Sequence, residues 1–175
     1  MKKILFLSLL IAVTISVYSQ QKDDSNVVKT KFLDFTARSG QIMSFEDFNK
    51  TTFTTIYGSL ISNKRIVKRA TEQKMFLMFE LPSQYSTRTA AIAEEDIKDL
   101  LNAITTLQND ANIDINTNSG YMEKYYVTED NFKIGYYISN KQIKWYIDLD
   151  IRLSESTFFI KDINDFMSKI QEIIK

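Results

Sequence analysis

Three groups of residues have types and spacings that could do chemistry. The first is the stretch NDANIDINTNSG, which sets oxygen-bearing side chains at Asp110, Asn112, Asp114, Asn116 and Asn118 and closes on Gly120. A calcium loop supplies oxygens in such alternation, but Ile115 stands where an EF-hand loop carries glycine, and Tyr121 where it carries its bidentate glutamate. The same residue types favour turns, so the stretch is expected to be a polar linker with no metal. The second group is Asp148 and Asp150. Two residues apart on a strand, they would share a face about 7 Å apart, a separation usable for acid/base work or a hard cation. The plainer reading is the solvated side of an amphipathic strand, and no catalytic residue is assigned. The third group is aromatic. Tyr126, Tyr137 and Tyr146 fall opposite the core-facing alternation of their strands, with Phe76 and Met78 on the same side. Rimmed by Asp148, Asp150, Lys133 and Lys144, such a face has the make-up of a recognition surface, provided its rings stay partly exposed.

Composition removes whole classes of mechanism. The chain has no histidine and no cysteine, which excludes Ser-His-Asp and Cys-His catalysis, nearly all zinc sites and any disulfide. Ser83, Ser86 and Lys74 form no Ser-x-x-Lys pattern. No cofactor is implied. The N-terminus carries Lys2 and Lys3 before an apolar run, Ile4 to Tyr18, that is shorter than the ~20 residues of a membrane span. Val17 and Ser19 place small residues ahead of Gln20, so residues 1–19 are expected to be a signal peptide cleaved before Gln20. The mature chain would then be exported to the periplasm or beyond, with no integral membrane span. It would carry 20 basic and 22 acidic residues, a net of −2, which gives no case for nucleic acid.

The elements that must position these residues follow from periodicity. EEDIKDLLNAITTLQ places Ile97, Leu100, Leu101, Ile104 and Leu107 on one helical face, with acids in the first turn where the helix dipole favours them. KDINDFMSKIQEIIK repeats the design with Ile163, Phe166, Met167, Ile170, Ile173 and Ile174. NFKIGYYISNKQIKWYIDLDIR reads as a hairpin turning at residues 139–141, with Phe132, Ile134, Tyr136 and Ile138 facing the core beside Trp145, Ile147, Leu149 and Ile151. RIVKR and KMFLMFEL make a second hairpin around residues 71–73, the latter apolar on both faces and so interior. VVKTKFLDFTARSG reads as a short helix stopped by Gly40, QIMSFEDF as a strand, and TTFTTIYGSLI as extended chain or loop.

These elements predict an α+β domain of two layers: an antiparallel sheet of about six to eight strands with two helices on one face. DIKDLLNAI from Asp96 matches DINDFMSKI from Asp162 at an offset of 66, so the domain is read as two hairpin-loop-strand-helix repeats. Residues 20–175 would form one domain: an N-terminal segment 20–63, a first repeat 64–108, a linker 109–120 and a second repeat 121–175. The second sheet face is either open or covered by residues 20–63.

The leader ending near paired glutamines, SGQIMSFEDF, TAAIAEEDIKDLLNAI, TEDNFKIGYYISNKQIKWYIDLD and STFFIKDINDF together resemble a group of small exported α+β proteins of Bacteroidota-type bacteria. The resemblance runs over most of the mature chain and rests on structural motifs. It implies the fold and export, and no activity. The expected function is a non-enzymatic exported binding domain using its aromatic sheet face, the partner being a protein, an apolar small molecule or a glycan. A carboxylate-dependent enzyme and a structural envelope component are the alternatives.

Overall fold

The computed structural model describes residues 30–55, 58–82, 87–153 and 156–175. The expected signal peptide, and the chain to residue 29, lie outside them. The protein is an α+β molecule, mostly strand. Its strands are β1 (Met43–Thr55), β2 (Gly58–Arg69), β3 (Glu72–Pro82), β4 (Thr87–Ala93), β5 (Tyr121–Val127), β6 (Lys133–Ser139), β7 (Gln142–Asp148) and β8 (Thr157–Ile160). The helices are α1 (Lys31–Thr36), α2 (Glu94–Asp114) and α3 (Ile163–Ile173). All eight strands form one open antiparallel sheet in the order β4-β3-β2-β1-β8-β7-β6-β5. Among the described residues, no helix is long and apolar enough to cross a membrane.

That order makes two half-sheets, β1–β4 and β5–β8, each zipped by successive hairpins and each followed by a helix. Between them, the described residues of β1 and β8 pair only at Thr55↔Ile160. The hairpin turns sit slightly off the expected places. Arg69↔Glu72 closes the first on Ala70–Thr71, and Ser139↔Gln142 closes the second on Asn140–Lys141. Asn140 and Lys141 have φ of 52° and 58°, the paired left-handed conformation that matches strand twist in a two-residue hairpin loop. Ala70, at φ 50°, adopts the same region without the local hydrogen bonding that lets asparagine tolerate it.

Within the core, Ile97, Leu100 and Ile104 of α2 and Phe166, Ile170 and Ile173 of α3 share one buried cluster with Leu60, Leu77, Phe79, Ile134 and Ile147 of the strands. Each such side chain contributes roughly 1.5–3 kcal/mol on burial. The expected stripe members Leu101, Met167 and Ile174 are only partly buried. The sheet also coils far enough for its two halves to touch directly: Phe79 of β3 stacks at 5.2 Å on Phe132, which precedes β6. Twist accumulated over eight strands, with a register shift between Phe48 and Thr51, produces this curl. Side chains of α2 and α3 and the ring-on-ring contact between the halves thus belong to one buried cluster.

Two expectations need correction. Residues 109–114 are not linker but the last turns of α2. Leu107, Ala111 and Asp114 stand three or four apart, so the buried stripe continues past Gln108 and the helix with it. Of the segment before residue 64, residues 43–55 and 58–63 do not lie over the sheet as a separate layer, because β1 and the start of β2 are interior strands of it. Among the described residues of this region, α1 covers an outer surface, that of the first half. Thr30 caps α1 by accepting the Leu33 N–H. Phe32 meets Phe76 edge-on at 5.1 Å, and Phe35 packs with Val67, Phe76, Met78 and Ala93. The Arg69 guanidinium lies 4.4 Å above the Phe35 ring and donates to the Phe35 carbonyl at 3.0 Å.

Candidate functional site

The outer face of the second half is built by alternation on four strands. On β5, Met122 and Tyr126 pack toward the core clusters and Lys124 toward α2, so Tyr121, Glu123 and Tyr125 point outward. Registration across β5, β6 and β7 sets Glu123 beside Tyr137, and Tyr125 in line with Gly135 and Tyr146. Phe159 of β8 stands opposite Tyr146. Gly135 is required where it stands. A Cβ there would lie 2.5 Å from the Lys124 carbonyl oxygen and 2.6 Å from the Tyr125 Cβ, far inside the usual cross-strand separation.

The result is a connected aromatic surface. Tyr137 is its hub, with ring centroids 5.9 Å from Tyr121, 6.4 Å from Tyr146 and 6.1 Å from Phe159. Tyr121 and Tyr125 remain 59% and 55% exposed. The Lys133 ammonium lies 4.1 Å from the Tyr125 centroid and 4.9 Å from that of Tyr146, in cation–π range. Beneath the rings, Glu123 accepts hydrogen bonds from the Tyr146 hydroxyl, the Tyr121 hydroxyl at 2.9 Å and Lys133 Nζ at 3.2 Å. The Tyr146 hydroxyl foremost, then Tyr121 and Lys133, hold the Glu123 carboxyl below its ordinary range against the cost of burial. Burial and the Glu123 bond push the Tyr146 hydroxyl up, so it stays a neutral donor. The face thus pairs its own charges and keeps apolar rings at its surface.

The expected site residues fall out unevenly. Tyr137 and Tyr146 do come together, but Tyr146 is only 5% exposed and its hydroxyl is taken, so it is a support and not a free anchor. Tyr126 is on the other side: it packs against the core clusters, because β5 alternates in the opposite phase to that expected. Asp148 stays on the tyrosine side, cross-strand from Lys133, and accepts the Ser156 and Thr157 hydroxyls. Asp150 does not share its strand face, because β7 ends at Asp148. Leu149 pairs its N–H with the Ser156 carbonyl at 3.1 Å, and the Asp150 side chain accepts the Arg152 backbone N–H at 3.0 Å, turning the chain. This turn leaves Ile151 exposed instead of in the core. Against the cost of burial, the Arg152 guanidinium holds the Asp150 carboxyl below its usual range. The two carboxylates therefore converge on no common point.

Tyr121, Tyr125, Glu123 and Phe159 belong to the face and were missed. In YMEKYYV both phases of the alternation carry an aromatic residue, so periodicity alone cannot fix the phase of β5, and the phase that puts Tyr126 outward is the wrong one. The sign of Lys124 was the available clue: a lysine facing Asp110 and Asp114, four apart on a helix, fixes the phase. Lys124 Nζ lies 2.9 Å from Asp110 and 2.8 Å from Asp114, and Asp114 also accepts the Tyr136 hydroxyl. Lys124 first, then Tyr136, hold Asp114 below the ordinary carboxylate range. Two of the carboxylates that resembled a calcium loop, Asp110 and Asp114, thus serve an ammonium group. In comparisons with family models, curated proteins and solved structures, nothing matches this chain.

Proposed function

We propose that this chain is a non-enzymatic exported binding domain that engages a protein partner through the outer face of β5–β8. The observation carrying this reading is the pair Tyr121 and Tyr125, more than half exposed on a platform of rings already fixed by Tyr137, Tyr146 and Glu123. Tyrosine gives large contact area at low entropic cost and keeps a hydroxyl for hydrogen bonding, which is why it is enriched at recognition surfaces. A face made of strands offers area and not enclosure, so it suits a protein surface better than an apolar small molecule; a glycan laid along the rings is the nearest rival. Export is supported by the basic and apolar N-terminus and by the resemblance to small exported proteins of Bacteroidota-type bacteria. Carboxylate catalysis has less support, since Asp148 and Asp150 are each engaged within the chain.

We also infer that the two halves are related units with their helices on a shared inner side. The buried positions Ile97, Leu100, Ile104 and Leu107 of α2 correspond, at the same offset of 66, to Ile163, Phe166, Ile170 and Ile173 of α3. Ile92 of β4 corresponds likewise to Phe158 of β8, and both are buried. Each unit is then four strands and a helix, one hairpin arm longer than the sequence repeat.

The test is the double variant Tyr121→Ala, Tyr125→Ala. Each change should alter stability by no more than about 0.5 kcal/mol, as exposed sites do. Capture of an envelope protein by the immobilised domain should weaken by ~2 kcal/mol or more, roughly 30-fold. Capture that is unchanged by the double variant would remove the face from consideration.

A further inference from the structure

The charges around the tyrosine face do not balance. On the outer face of the first half the arginines meet carboxylates: Arg65 lies 2.6 Å from Asp47 and 3.3 Å from Glu80, and Arg69 pairs with Glu72. On the second half Lys133 meets Glu123 at 3.2 Å, and that carboxylate also takes two tyrosine hydroxyls. The other carboxylate of the face, Asp148, accepts the Ser156 and Thr157 hydroxyls. Lys144 is left over. Register sets it beside Tyr137, and its ammonium lies 5.8 Å from the centroid of that ring. It is exposed, and no carboxylate among the described residues pairs with it.

Two more exposed lysines in the same condition stand at the same end of the sheet. Lys141 sits in the turn that closes the β6–β7 hairpin, and Lys161 follows Ile160, the partner of Trp145. Tyr121 belongs to this end too, in line with Ser139 and Gln142. The exposed rings therefore border a positive end, while both carboxylates of the face are held within the chain. Tyr125, 55% exposed, adds a hydroxyl with no hydrogen bond among the described residues. Ammonium groups and a free hydroxyl are donors, and a carboxylate can only accept. Charge of one sign on a binding surface chooses among partners more than it tightens any of them.

We infer that the partner segment taken by this face is acidic, with carboxylates set against Lys144 and its neighbouring lysines and with apolar or aromatic side chains laid on Tyr121 and Tyr125. The inference rests on the reading of this face as a protein-binding surface. The probes are end-blocked peptides that alternate phenylalanine with glutamate or, for the neutral counterpart, with glutamine. Amide NMR shifts of the full mature chain are the readout. The glutamate peptide should give saturable shifts at Tyr121, Tyr137 and Lys144 and bind about fivefold or more tightly than the glutamine peptide at low salt, the reach of an exposed ion pair. High salt should erase that preference by screening. Lys144→Gln should at least halve it, and Lys98→Gln, an equal loss of charge on α2, should leave it. Tyr121→Ala with Tyr125→Ala should weaken both peptides alike. Equal binding of the two peptides to the parent, lost in the tyrosine variant, would overturn the acidic assignment and keep the face. Binding undiminished in the tyrosine variant, or no saturable shift with either peptide, would overturn the face and the assignment together. An equal effect of Lys98→Gln would reduce the preference to net charge, and tighter binding of an oligogalacturonate than of the glutamate peptide would give the face to an acidic glycan; either overturns the assignment.

Discussion

The outer faces of the two half-sheets are made by the same alternation and end in opposite states. On β1–β4 the outward side chains include Val67, Phe76 and Met78, which are buried because α1 lays Phe32 and Phe35 over them. On β5–β8 they are tyrosines and Phe159, and the described residues leave Tyr121 and Tyr125 at the surface. Residue type decides the difference. Phenylalanine and methionine have no polar atom to satisfy in water, so their face gains most by acquiring a roof. Tyrosine hydroxyls can be anchored to a carboxylate, as Tyr121 and Tyr146 are to Glu123, and a face so anchored holds its shape without one. The contrast teaches that order and cover are separable: the rings of the second half are held by bonds to Glu123 although Tyr121 and Tyr125 stay at the surface.

The contrast can be broken most forcefully at the roof. Phe35→Ala should cost ~3 kcal/mol or more, as large-to-small changes at buried aromatics do, measured as a denaturation midpoint at constant m-value. A loss below about 1 kcal/mol would mean α1 is not what keeps the first face dry. Gly135→Ala attacks the other half. The added methyl must displace β5 from β6, at a cost of ~1–3 kcal/mol by overpacking. Hydrogen exchange should quicken across β5 and leave β2 and β3 as they were; uniform quickening would show that the halves do not differ in this way.

The smallest effect is electrostatic. The folded Glu123 carboxyl titrates below the unfolded value of ~4.3. Its contribution is therefore complete above the unfolded value and fades as pH falls through the lower folded one. Glu123→Gln should cost ~1 kcal/mol near neutrality, the scale of a net hydrogen bond, and the gap from wild type should close in strong acid. A gap that persists unchanged in acid would place the stabilisation in packing and not in the charge.

Much of this was legible in the residues. The α2 and α3 stripes and the hairpins stand out because one phase of each pattern is clearly more apolar than the other. KMFLMFEL was read as interior from its two apolar faces, and β3 is flanked by β2 and β4. What failed had local causes. NDANID reads as loop by composition, yet Ala111 and Asp114 extend the helical stripe, and the propensity of asparagine yields to burial. The strand was read through to Arg152 because DLDIR alternates, yet an aspartate bonding its own backbone two residues on ends it at Asp148. The site was half legible. Tyr137 and Tyr146 were found by phase, Tyr126 was misplaced by it, and the exposed pair was missed because exposure depends on which strand lies at the edge, a property of strand order that no single segment encodes.

The seam between the halves has a mechanical consequence. Force that draws the β4 edge away from the β5 edge is shared by several rungs wherever two strands run side by side, but at the middle of the sheet the described residues give it one rung, Thr55–Ile160. What resists there is not the ladder but the rings behind it, Phe53 against Phe166 at 4.9 Å and Phe79 against both Phe132 and Phe166. Contacts of that kind slide before they part, whereas hydrogen-bonded rungs hold and then snap. Under load the molecule should be stiff within each half and yield gradually at its centre, with the aromatic stack acting as the damper.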